Sequence, residues 1–391
     1  MGIVLRNDAL LIFLCDLFRQ IRGGDRVNNP FIFYSGLNQK PYLTPLCSVN
    51  KLKIAKAPTE STRRFEGKTA SELMGAAAVC RYIEDECRLC GIDGFTGYET
   101  LSLPRFLSDG CVSGDEKLRA FCQRVADDIG ERLAAILLTL KTALPENRAA
   151  RPDWGDEHWR YLQNAKRFIL TGGLTAGHLG ERFKKKIFQV FAEAGAAPYE
   201  ISVFENSSLT GVMGGARLLS QKNCTAAVLD CGQTGIKRCV FRLENGEIVS
   251  QLPLESLPSR HMQLPGSPLG LDRDEAIKLH RLLIGAVCSV CREAMRFPDF
   301  TNEIIISIAN YVEGGCIINP TRGGYAKLSL LSDNYAELLE TEISAVVRTP
   351  LKVTLVHDAT AVAAYFREEK GCVCLTLGTG FGIGFTDFFD F

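Results

Sequence analysis

Residues Cys372–Gly384 read C-V-C-L-T-L-G-T-G-F-G-I-G, an apolar run that enters a tight turn of glycine and threonine and then becomes extended again. A second stretch of this kind, Ala226–Phe241, reads A-A-V-L-D-C-G-Q-T-G-I-K-R-C-V-F. Glycine lets the backbone turn sharply and come close to a bound group, and the exposed N–H groups of such a turn form an anion-binding concavity. Two such hairpins in one chain predict a clamp that holds a polyphosphate from both sides, which indicates nucleotide-dependent phosphoryl transfer.

The length and composition limit the classes of protein to which this chain can belong. With 391 residues the chain is long enough for two domains, since single cores rarely grow past about 250–300 residues. Its 45 basic residues balance 45 acidic ones without a long basic run, and no apolar run reaches the roughly 20 residues that span a bilayer. Residues 1–18 lack the pattern of a secretion signal, and the fifteen cysteines are scattered rather than arranged as a disulfide framework. We therefore expect a cytoplasmic protein that acts on a small molecule, without a nucleic-acid or membrane partner.

Hydrophobic periodicity predicts alternating strands and helices over most of the chain. The predicted strands are 168–171, 200–204, 225–230, 237–243, 247–253, 303–308, 352–356 and the C-terminal hairpin, continued as sheet through Phe385–Phe391. The predicted helices are 70–87, 115–144, 179–194, 209–219, 272–296, 335–346 and one that opens at Asp358. Pro145–Asp156, with two prolines and many charges, is predicted to be an exposed insertion. This alternation indicates a mixed sheet with helices on its faces.

These motifs resemble those of the ROK sugar kinases and bacterial glucokinases of the actin-like ATPase superfamily. The family's first phosphate loop, D-x-G-G-T-x-x-K, is similar to D-C-G-Q-T-G-I-K at Asp230–Lys237. Its catalytic segment, N-D-A-N-A-A-A, resembles H-D-A-T-A-V-A at His357–Ala363, and its second phosphate loop, L-G-T-G-I-G-G-G, resembles L-G-T-G-F-G-I-G at Leu377–Gly384. The family's adenosine segment, a strand that ends in G-G before a helix, is similar to Ile169–Leu174, and its last, small-residue helix is similar to Leu209–Ala216.

The order of these motifs differs from that of the family, in which the adenosine segment and the small-residue helix come last. Residues 2–11, G-I-V-L-R-N-D-A-L-L, resemble the strand that follows the family's second phosphate loop. We interpret the chain as a circular permutant whose old ends are joined near Gln221–Cys224. The resemblance then implies a two-domain α/β protein with the actin-like ATPase (ribonuclease H-like) fold, in which mixed sheets are flanked by helices. Residues 1–222 and 373–391 would form the larger, adenosine-binding domain, and residues 223–372 the smaller domain.

The resemblance also implies roles for individual residues. Asp358 would be the general base that accepts the proton of the attacking hydroxyl, although a carboxylate at a helix start can equally be an N-cap. Asp230 would organise Mg²⁺ through water, or would simply cap its turn. The residues expected to bind ATP are Asp230, Gly232, Gln233, Thr234, Lys237, Gly378, Thr379 and Gly380 around the phosphates, and Gly172 and Gly173 beside the adenosine.

The substrate side departs from the family pattern. His357 replaces the asparagine that contacts the sugar, Asn319 in I-I-N-P loosely matches a P-N loop, and Glu99 in G-Y-E-T matches the glutamate of a C-L-E segment. The family's G-E-x-G-H segment has no clear counterpart, with R-F-E-G-K at residues 64–68 a poor stand-in. Gln233, in place of a loop glycine, is expected to crowd the phosphates.

Many ROK proteins carry a zinc site where this chain has Cys80, Cys87 and Cys90. Structural zinc needs four ligands, and Phe95 stands where a further cysteine is expected. The pattern therefore favours buried thiols over a structural zinc. His280, on the apolar face of its predicted helix, is expected to be a packed histidine.

The function that the resemblance implies is an ATP- and Mg²⁺-dependent sugar kinase, which transfers the γ-phosphoryl group to a hexose or amino-sugar hydroxyl. One alternative is a non-catalytic sugar- or nucleotide-binding sensor or interaction protein with the same fold. Another is a kinase for a different acceptor, such as a small acid or a nucleoside. A homodimer is left open.

Overall fold

The computed structural model describes residues 29–35, 40–99, 102–204, 206, 208–259, 273–319, 323–378 and 380–390. The strands are β1 (Ile32–Ser35), β2 (Lys40–Leu43), β3 (Arg167–Thr171), β4 (Glu200–Val203), β5 (Cys224–Cys231), β6 (Gly235–Glu244), β7 (Glu247–Pro258), β8 (Glu303–Ile308), β9 (Val312–Glu313), β10 (Cys316–Ile317), β11 (Lys352–His357), β12 (Cys372–Leu377) and β13 (Phe381–Phe385). The α-helices are α1 (Ala70–Met74), α2 (Ala76–Leu89), α3 (Leu103–Gly110), α4 (Glu116–Thr142), α5 (Pro145–Ala149), α6 (Asp156–Gln163), α7 (Leu179–Glu193), α8 (Thr210–Arg217), α9 (Arg273–Ala294), α10 (Tyr335–Val347) and α11 (Asp358–Tyr365). The chain is thus a mixed α/β protein, and the strand expected over residues 2–11 lies outside the described residues.

The larger sheet has five strands in the order β11-β8-β5-β6-β7. β5, β6 and β7 form an antiparallel meander, whereas β8 and β11 run parallel to β5. The turn between β6 and β7 is built on Asn245 and Gly246, whose φ angles of 54° and 82° are those of the left-handed region that tight hairpins use. Numbered along the chain within this sheet, the strands are ordered 3-2-1-4-5.

A second sheet has four strands in the order β13-β12-β3-β4. The C-terminal hairpin β12–β13 is antiparallel, and β12 runs parallel to β3 from the middle of the chain. Thr376 of β12 is level with Thr171 of β3, and their hydroxyl oxygens lie 3.3 Å apart. The C-terminal hairpin therefore belongs to the same sheet as β3, the strand of the predicted adenosine segment.

Helices α8 and α11 lie between the two sheets. Helix α8 packs on the five-stranded sheet, α11 packs on β12 and β13, and the two helices contact each other. Small residues make this possible, because a side chain at Gly214 would collide with the backbone carbonyl of Ala361, and one at Gly384 would collide with that of Ala359. The helix that begins at Asp358 is thereby fixed against both sheets.

Alternate residues of the five-stranded sheet face two different cores. Ala227 and Leu229 of β5 pack with α9 and α10, whereas Ala226 and Val228 pack with α8. Asp230 follows this alternation and lies on the α8 face. On the four-stranded sheet, α4 and α7 cover the face that carries Phe168, Leu170 and Leu375.

Three sequence expectations were wrong. The helix predicted over 70–87 is interrupted at Gly75, which ends α1 and begins α2. Pro145–Asp156 is not an exposed insertion, since Asn147 and Arg151 are 0% and 2% exposed. The prolines and charges of this segment suggested a surface loop, but the Asn147 and Arg151 side chains form hydrogen bonds with backbone carbonyls. Strand β13 ends at Phe385, and the aromatic residues after it form a 3₁₀ turn.

Other expectations are confirmed. The predicted strand 303–308 has the same bounds as β8, and His280 is buried between Tyr335 and Glu342. No helix in the described residues is long and apolar enough to cross a bilayer.

Candidate functional site

Polar side chains meet at the carboxyl ends of the three parallel strands β5, β8 and β11. Asp230 of β5 is level with Ser307 of β8, and the Ser307 hydroxyl donates a 2.8 Å hydrogen bond to Asp230 Oδ1. Lys237 stands opposite Asp230 on β6, with its Nζ 3.6 Å from Asp230 Oδ2. Asp358 follows β11 directly. Clefts at the carboxyl ends of parallel strands are where α/β proteins bind ligands.

The two oxygens of Asp358 have different surroundings. Oδ1 accepts a 2.7 Å hydrogen bond from the Ala359 amide and lies 3.2 Å from His357 Nε2. Oδ2 has no hydrogen-bond partner among the described residues. The helix N-cap is His357 rather than Asp358, so the N-cap alternative for Asp358 is wrong. About 27% of its side chain remains exposed, which leaves the carboxyl accessible.

Burial, and secondarily the negative charge of Asp230, raise the pKa of Asp358 to about 7. The Ala359 amide and the Lys237 ammonium act in the opposite direction. A carboxyl that titrates near neutrality can accept and release a proton at physiological pH. Perturbed groups of this kind in a cleft are typical of catalytic sites, although structural ion networks also produce them.

His357 is buried behind this carboxyl, with 7% of its side chain exposed. Its Nδ1 lies 3.2 Å from the Thr360 hydroxyl, and its ring stacks on Tyr311 with centroids 4.5 Å apart. Burial lowers its pKa to about 3, so the ring is neutral. The ring is buried and its Nδ1 faces a protein hydroxyl, so the geometry favours a supporting role over the predicted contact with a sugar.

The first glycine turn, residues 232–235, presents free backbone donors. The Gly232 amide bonds the Gly235 carbonyl at 3.0 Å, while the amides of Gln233 and Thr234 have no acceptor among the residues that the structure describes. The Gln233 side chain points elsewhere, donating to the Ala309 carbonyl and accepting from the Gly324 amide, both at 3.1 Å. Its side chain therefore braces the turn, and the predicted crowding of phosphates is not what it does.

The second glycine turn is held by a residue that the sequence analysis missed. Asn50 accepts from the Phe381 amide at 3.0 Å and donates to the Phe381 carbonyl at 2.8 Å. The Gly378 amide bonds the Gly380 carbonyl at 3.2 Å, and the Gly378 carbonyl accepts from the Ala76 amide at 3.1 Å. Thr379 lies outside the described residues.

The segment Ile169–Leu174, predicted to bind adenosine, adjoins this second turn. Gly172 has φ +97°, and a Cβ there would lie 2.5 Å from the Leu377 carbonyl oxygen. A Cβ at Gly173 would meet nothing within 4 Å. Gly172 therefore permits a close backbone approach, and Gly173 borders open space.

The strand that follows the second turn packs on the helix that Asp358 begins. A Cβ at Gly382, two residues after the second turn, would lie 3.3 Å from Ala359 Cβ. The charges of Asp230 and Lys237, which flank the first turn, act on the Asp358 carboxyl. Residues that adjoin each predicted phosphate loop therefore pack beside Asp358 or act on its charge.

The residues predicted to bind the substrate do not all lie at this site. The Asn319 carbonyl accepts a 3.1 Å bond from Asn310, the residue before Tyr311, so Asn319 borders the site. Glu99 is exposed in the turn before α3, and no described contact joins it to Asp358. Arg64, at the start of the poorly matching segment 64–68, forms ion pairs with Asp128 and Glu131 of α4.

Sequence reasoning missed several supporting residues. Ser307 could have been identified from the sequence, because it is a polar residue within the apolar run of E-I-I-I-S-I. In the structure it stands level with Asp230. No sequence pattern marked Tyr311 or Asn50, because their roles depend on contacts with chain segments that are distant in sequence.

Metal and cofactor ligands can be judged from the donors present. Within the described ranges, no group of three or more His, Cys, Asp or Glu side chains could hold a metal ion. Cys80 and Cys87 are buried, and Cys90 is exposed. Asp230 already contacts Ser307 and Lys237, so its carboxylate suits a cation bound through water rather than directly.

Comparison with family models and with curated proteins finds no match. Among solved structures, the ethanolamine utilization protein EutJ from Carboxydothermus hydrogenoformans is similar over 46% of this chain, with 14% identity and a TM-score of 0.26. The match spans 60% of the length of EutJ. A similarity this weak gives no information about function.

Proposed function

We propose that this protein is an ATP- and Mg²⁺-dependent kinase of the actin-like ATPase superfamily that phosphorylates a sugar hydroxyl. The observation that carries the proposal is the Asp358 carboxyl, with one bonded oxygen, one free oxygen and a pKa of about 7. It lies beside two glycine turns, one of which has free amide donors. A base next to an anion-binding turn is what phosphoryl transfer to a hydroxyl requires.

The residues present fit the nucleotide and the metal. The free amides of Gln233 and Thr234 and the turn at Gly378–Gly380 would bind phosphate oxygens from two sides. Asp230 would hold Mg²⁺ through water. Bound Mg²⁺-ATP would supply the phosphoryl group and neutralise its charge. Gly172 and Gly173 would let the adenosine lie against the backbone.

Asp358 would accept the proton of the attacking hydroxyl on Oδ2. Its pKa of about 7 means that half of the carboxyl groups are ionised near neutral pH. The negative charge of Asp230 favours return of that proton, and the Lys237 ammonium opposes it. The pair therefore adjusts a basicity that burial chiefly sets.

The strand order of the two sheets bears on the proposed reordering. The five-stranded sheet has the order 3-2-1-4-5, an antiparallel meander continued by two parallel strands. The described strands of the other sheet follow 2-1-3-4 if β12 and β13 are counted first and β3 and β4 after them, again an antiparallel pair continued by parallel strands. That renumbering is what a circular permutation would require. It also supports a division into residues 1–222 with 373–391 and residues 223–372.

The proposal is tested by measuring ADP release with ATP, Mg²⁺ and a panel of hexoses, amino sugars, small acids and nucleosides. Asp358→Asn should lower kcat about 100-fold or more with the best acceptor. Asp109→Asn, a change to a carboxylate that is 59% exposed and pairs with Arg105, should leave it unaltered. Full activity of Asp358→Asn would overturn the assignment of the base.

The substrate side favours one second candidate, a ligand sensor without turnover. His357 is buried with Nδ1 facing the Thr360 hydroxyl, and the family's segment that supplies a sugar-binding glutamate and histidine has no clear counterpart in this chain. A sensor would show ATP- or sugar-dependent thermal stabilisation without ADP release for any acceptor in the panel.

A further inference from the structure

We infer that Tyr325 and Gln233 are positioning residues that hold the first glycine turn, residues 232–235, with its two free amides directed at a bound phosphate group. The inference rests on the proposed function, because that proposal supplies the phosphate. It gives a role to a buried tyrosine hydroxyl and to a side chain that stands in place of a loop glycine.

The first step is the direction of one peptide group. The Tyr325 hydroxyl donates a 2.9 Å hydrogen bond to the Gly232 carbonyl oxygen. That carbonyl and the Gln233 N–H belong to the same planar peptide, in which the two groups point in opposite directions. Tyr325 is 1% exposed and lies in the core that α9 shares with the five-stranded sheet. The Gln233 N–H therefore points away from this tyrosine.

The second step is the state of the other polar groups of the turn. The Ser259 amide donates to the Thr234 carbonyl at 3.1 Å. Within the turn, the Gly232 amide donates to the Gly235 carbonyl at 3.0 Å. Three of the four carbonyls of the turn thus accept from the protein, whereas the amides of Gln233 and Thr234 have no acceptor among the described residues. Because Thr234 is exposed, an anion that approaches the turn from solvent meets hydrogen-bond donors.

The third step is a second attachment of the turn to the segment that carries Tyr325. The Gln233 side chain donates to the Ala309 carbonyl and accepts from the amide of Gly324, the residue before Tyr325, both at 3.1 Å. Gly323 has φ +82°, and a Cβ there would lie 2.9 Å from Gln233 Nε2. The turn is thus fixed to neighbouring residues by a side chain and by a carbonyl. Neither attachment uses the two free amides.

Burial keeps the Tyr325 hydroxyl a donor. Desolvation raises the pKa of Tyr325 well above its ordinary value, so the hydroxyl retains its hydrogen at every pH of an ordinary assay. Without this donor, the Gly232 carbonyl would gain by rotating toward water, because an unpaired polar group away from water is costly. The same rotation would turn the Gln233 N–H inward. Loss of the hydroxyl is therefore expected to weaken anion binding as well as the fold.

The experiment compares two variants that each lose one buried hydroxyl, Tyr325→Phe and Tyr335→Phe. Tyr335 lies in the same core, but its hydroxyl pairs with His280 Nδ1 at 2.9 Å instead of with the turn. The dissociation constant of Mg²⁺-ADP is measured by isothermal titration calorimetry. We expect Tyr325→Phe to raise it about five- to tenfold, and Tyr335→Phe to leave it unchanged.

Two further readouts separate positioning from a loss of stability. Hydrogen exchange at the Gln233 and Thr234 amides is followed by NMR with and without Mg²⁺-ADP. The ligand should slow exchange at both amides in the wild type and in Tyr335→Phe, whereas Tyr325→Phe should lose most of that protection at Gln233. In the kinase assay, Tyr325→Phe should raise KM for ATP with little change in kcat, because Asp358 is untouched.

Equal affinity for Mg²⁺-ADP in the wild type and Tyr325→Phe would overturn the inference, and so would equal losses in the two tyrosine variants. If Tyr325→Phe does not fold, Gln233→Met takes its place. Methionine keeps the length of the side chain but forms neither of its hydrogen bonds, so Gln233→Met must raise the same dissociation constant.

The outcomes for this inference and for the proposed function can be told apart. If no acceptor is phosphorylated but Tyr325→Phe weakens the binding of Mg²⁺-ADP as expected, the positioning role stands and the kinase proposal fails. If phosphorylation occurs and Tyr325→Phe binds Mg²⁺-ADP like the wild type, the positioning role fails and the kinase proposal stands. A wild type that does not bind Mg²⁺-ADP would refute both.

Discussion

Beyond the larger effect of burial, Asp230 raises the pKa of Asp358, because the two carboxylates stand at the carboxyl ends of β5 and β11 with only β8 between these strands. Lys237, which contacts Asp230, lowers it. The basicity of Asp358 therefore depends on a charge pair carried by the first glycine hairpin.

Replacing Asp230 should lower the pKa of Asp358. In Asp230→Asn the amide oxygen can still accept from Ser307, but the negative charge is gone, so the Asp358 midpoint should fall from about 7. Lys237→Met removes the opposing charge and should raise it. Both midpoints can be read by ¹³C NMR. Shifts of the same sign in the two variants would contradict this account.

The Asp358 carboxyl should make stability depend on pH. Its pKa rises from 3.8 to about 7 in the folded protein, so its ionisation disfavours folding. Its contribution to stability is complete below pH 4 and is lost as the pH rises through 7. Asp358→Asn should therefore exceed the wild type in free energy of unfolding by about 1–3 kcal/mol at pH 8, with the gain fading by pH 4. Urea unfolding across this range checks it, and parallel curves would refute it.

Gly172 should not tolerate a side chain, whereas Gly173 should. At Gly172 the φ of +97° strains any L-residue, and a Cβ would meet the Leu377 backbone. Gly172→Ala should cost about 2 kcal/mol or more of stability. Gly173→Ala, with nothing within 4 Å, is the matched control and should stay within about 0.5 kcal/mol. Equal unfolding temperatures for the two variants would count against the close approach of β3 and β12.

Asn50 should stiffen the second glycine turn. Asn50→Ala leaves the Phe381 amide and carbonyl without their partner, which should cost about 1–3 kcal/mol. Amide exchange at Phe381 should accelerate, and ATP affinity should fall if that turn binds phosphate. Asn302→Ala, at an exposed asparagine, serves as the control. Unchanged exchange at Phe381 would show that the turn holds its shape without Asn50.

Much of the fold could be predicted from the sequence because its strands are short apolar runs that end in turn residues. The run E-I-I-I-S-I predicted β8 with the same first and last residues as the structure has, and Asn245 and Gly246 predicted the turn of the β6–β7 hairpin. The helix over 70–87 was predicted as continuous because its apolar spacing persists across Gly75, where the backbone in fact turns to an extended ψ of 141°.

The candidate site could be predicted only where chemistry and local pattern coincide. Asp230 and Asp358 end apolar strands, so their place at the sheet edge followed from the sequence. Asn50 contacts Phe381, 331 residues away, and no local pattern records such a pairing. Arg151 and Asn147 are buried because they bond backbone carbonyls from 56 and 46–48, which composition alone cannot reveal.

The crossing of α8 and α11 at Gly214 and Ala361 brings two backbones into direct apposition. Contacts of this kind contain no long side chains that would have to change rotamer when the helices turn. We therefore expect any opening of the cleft to be a rotation centred on this crossing, with little sliding. Since Asp358 lies three residues before Ala361, the proton acceptor would stay close to the axis while the glycine turns travel farther.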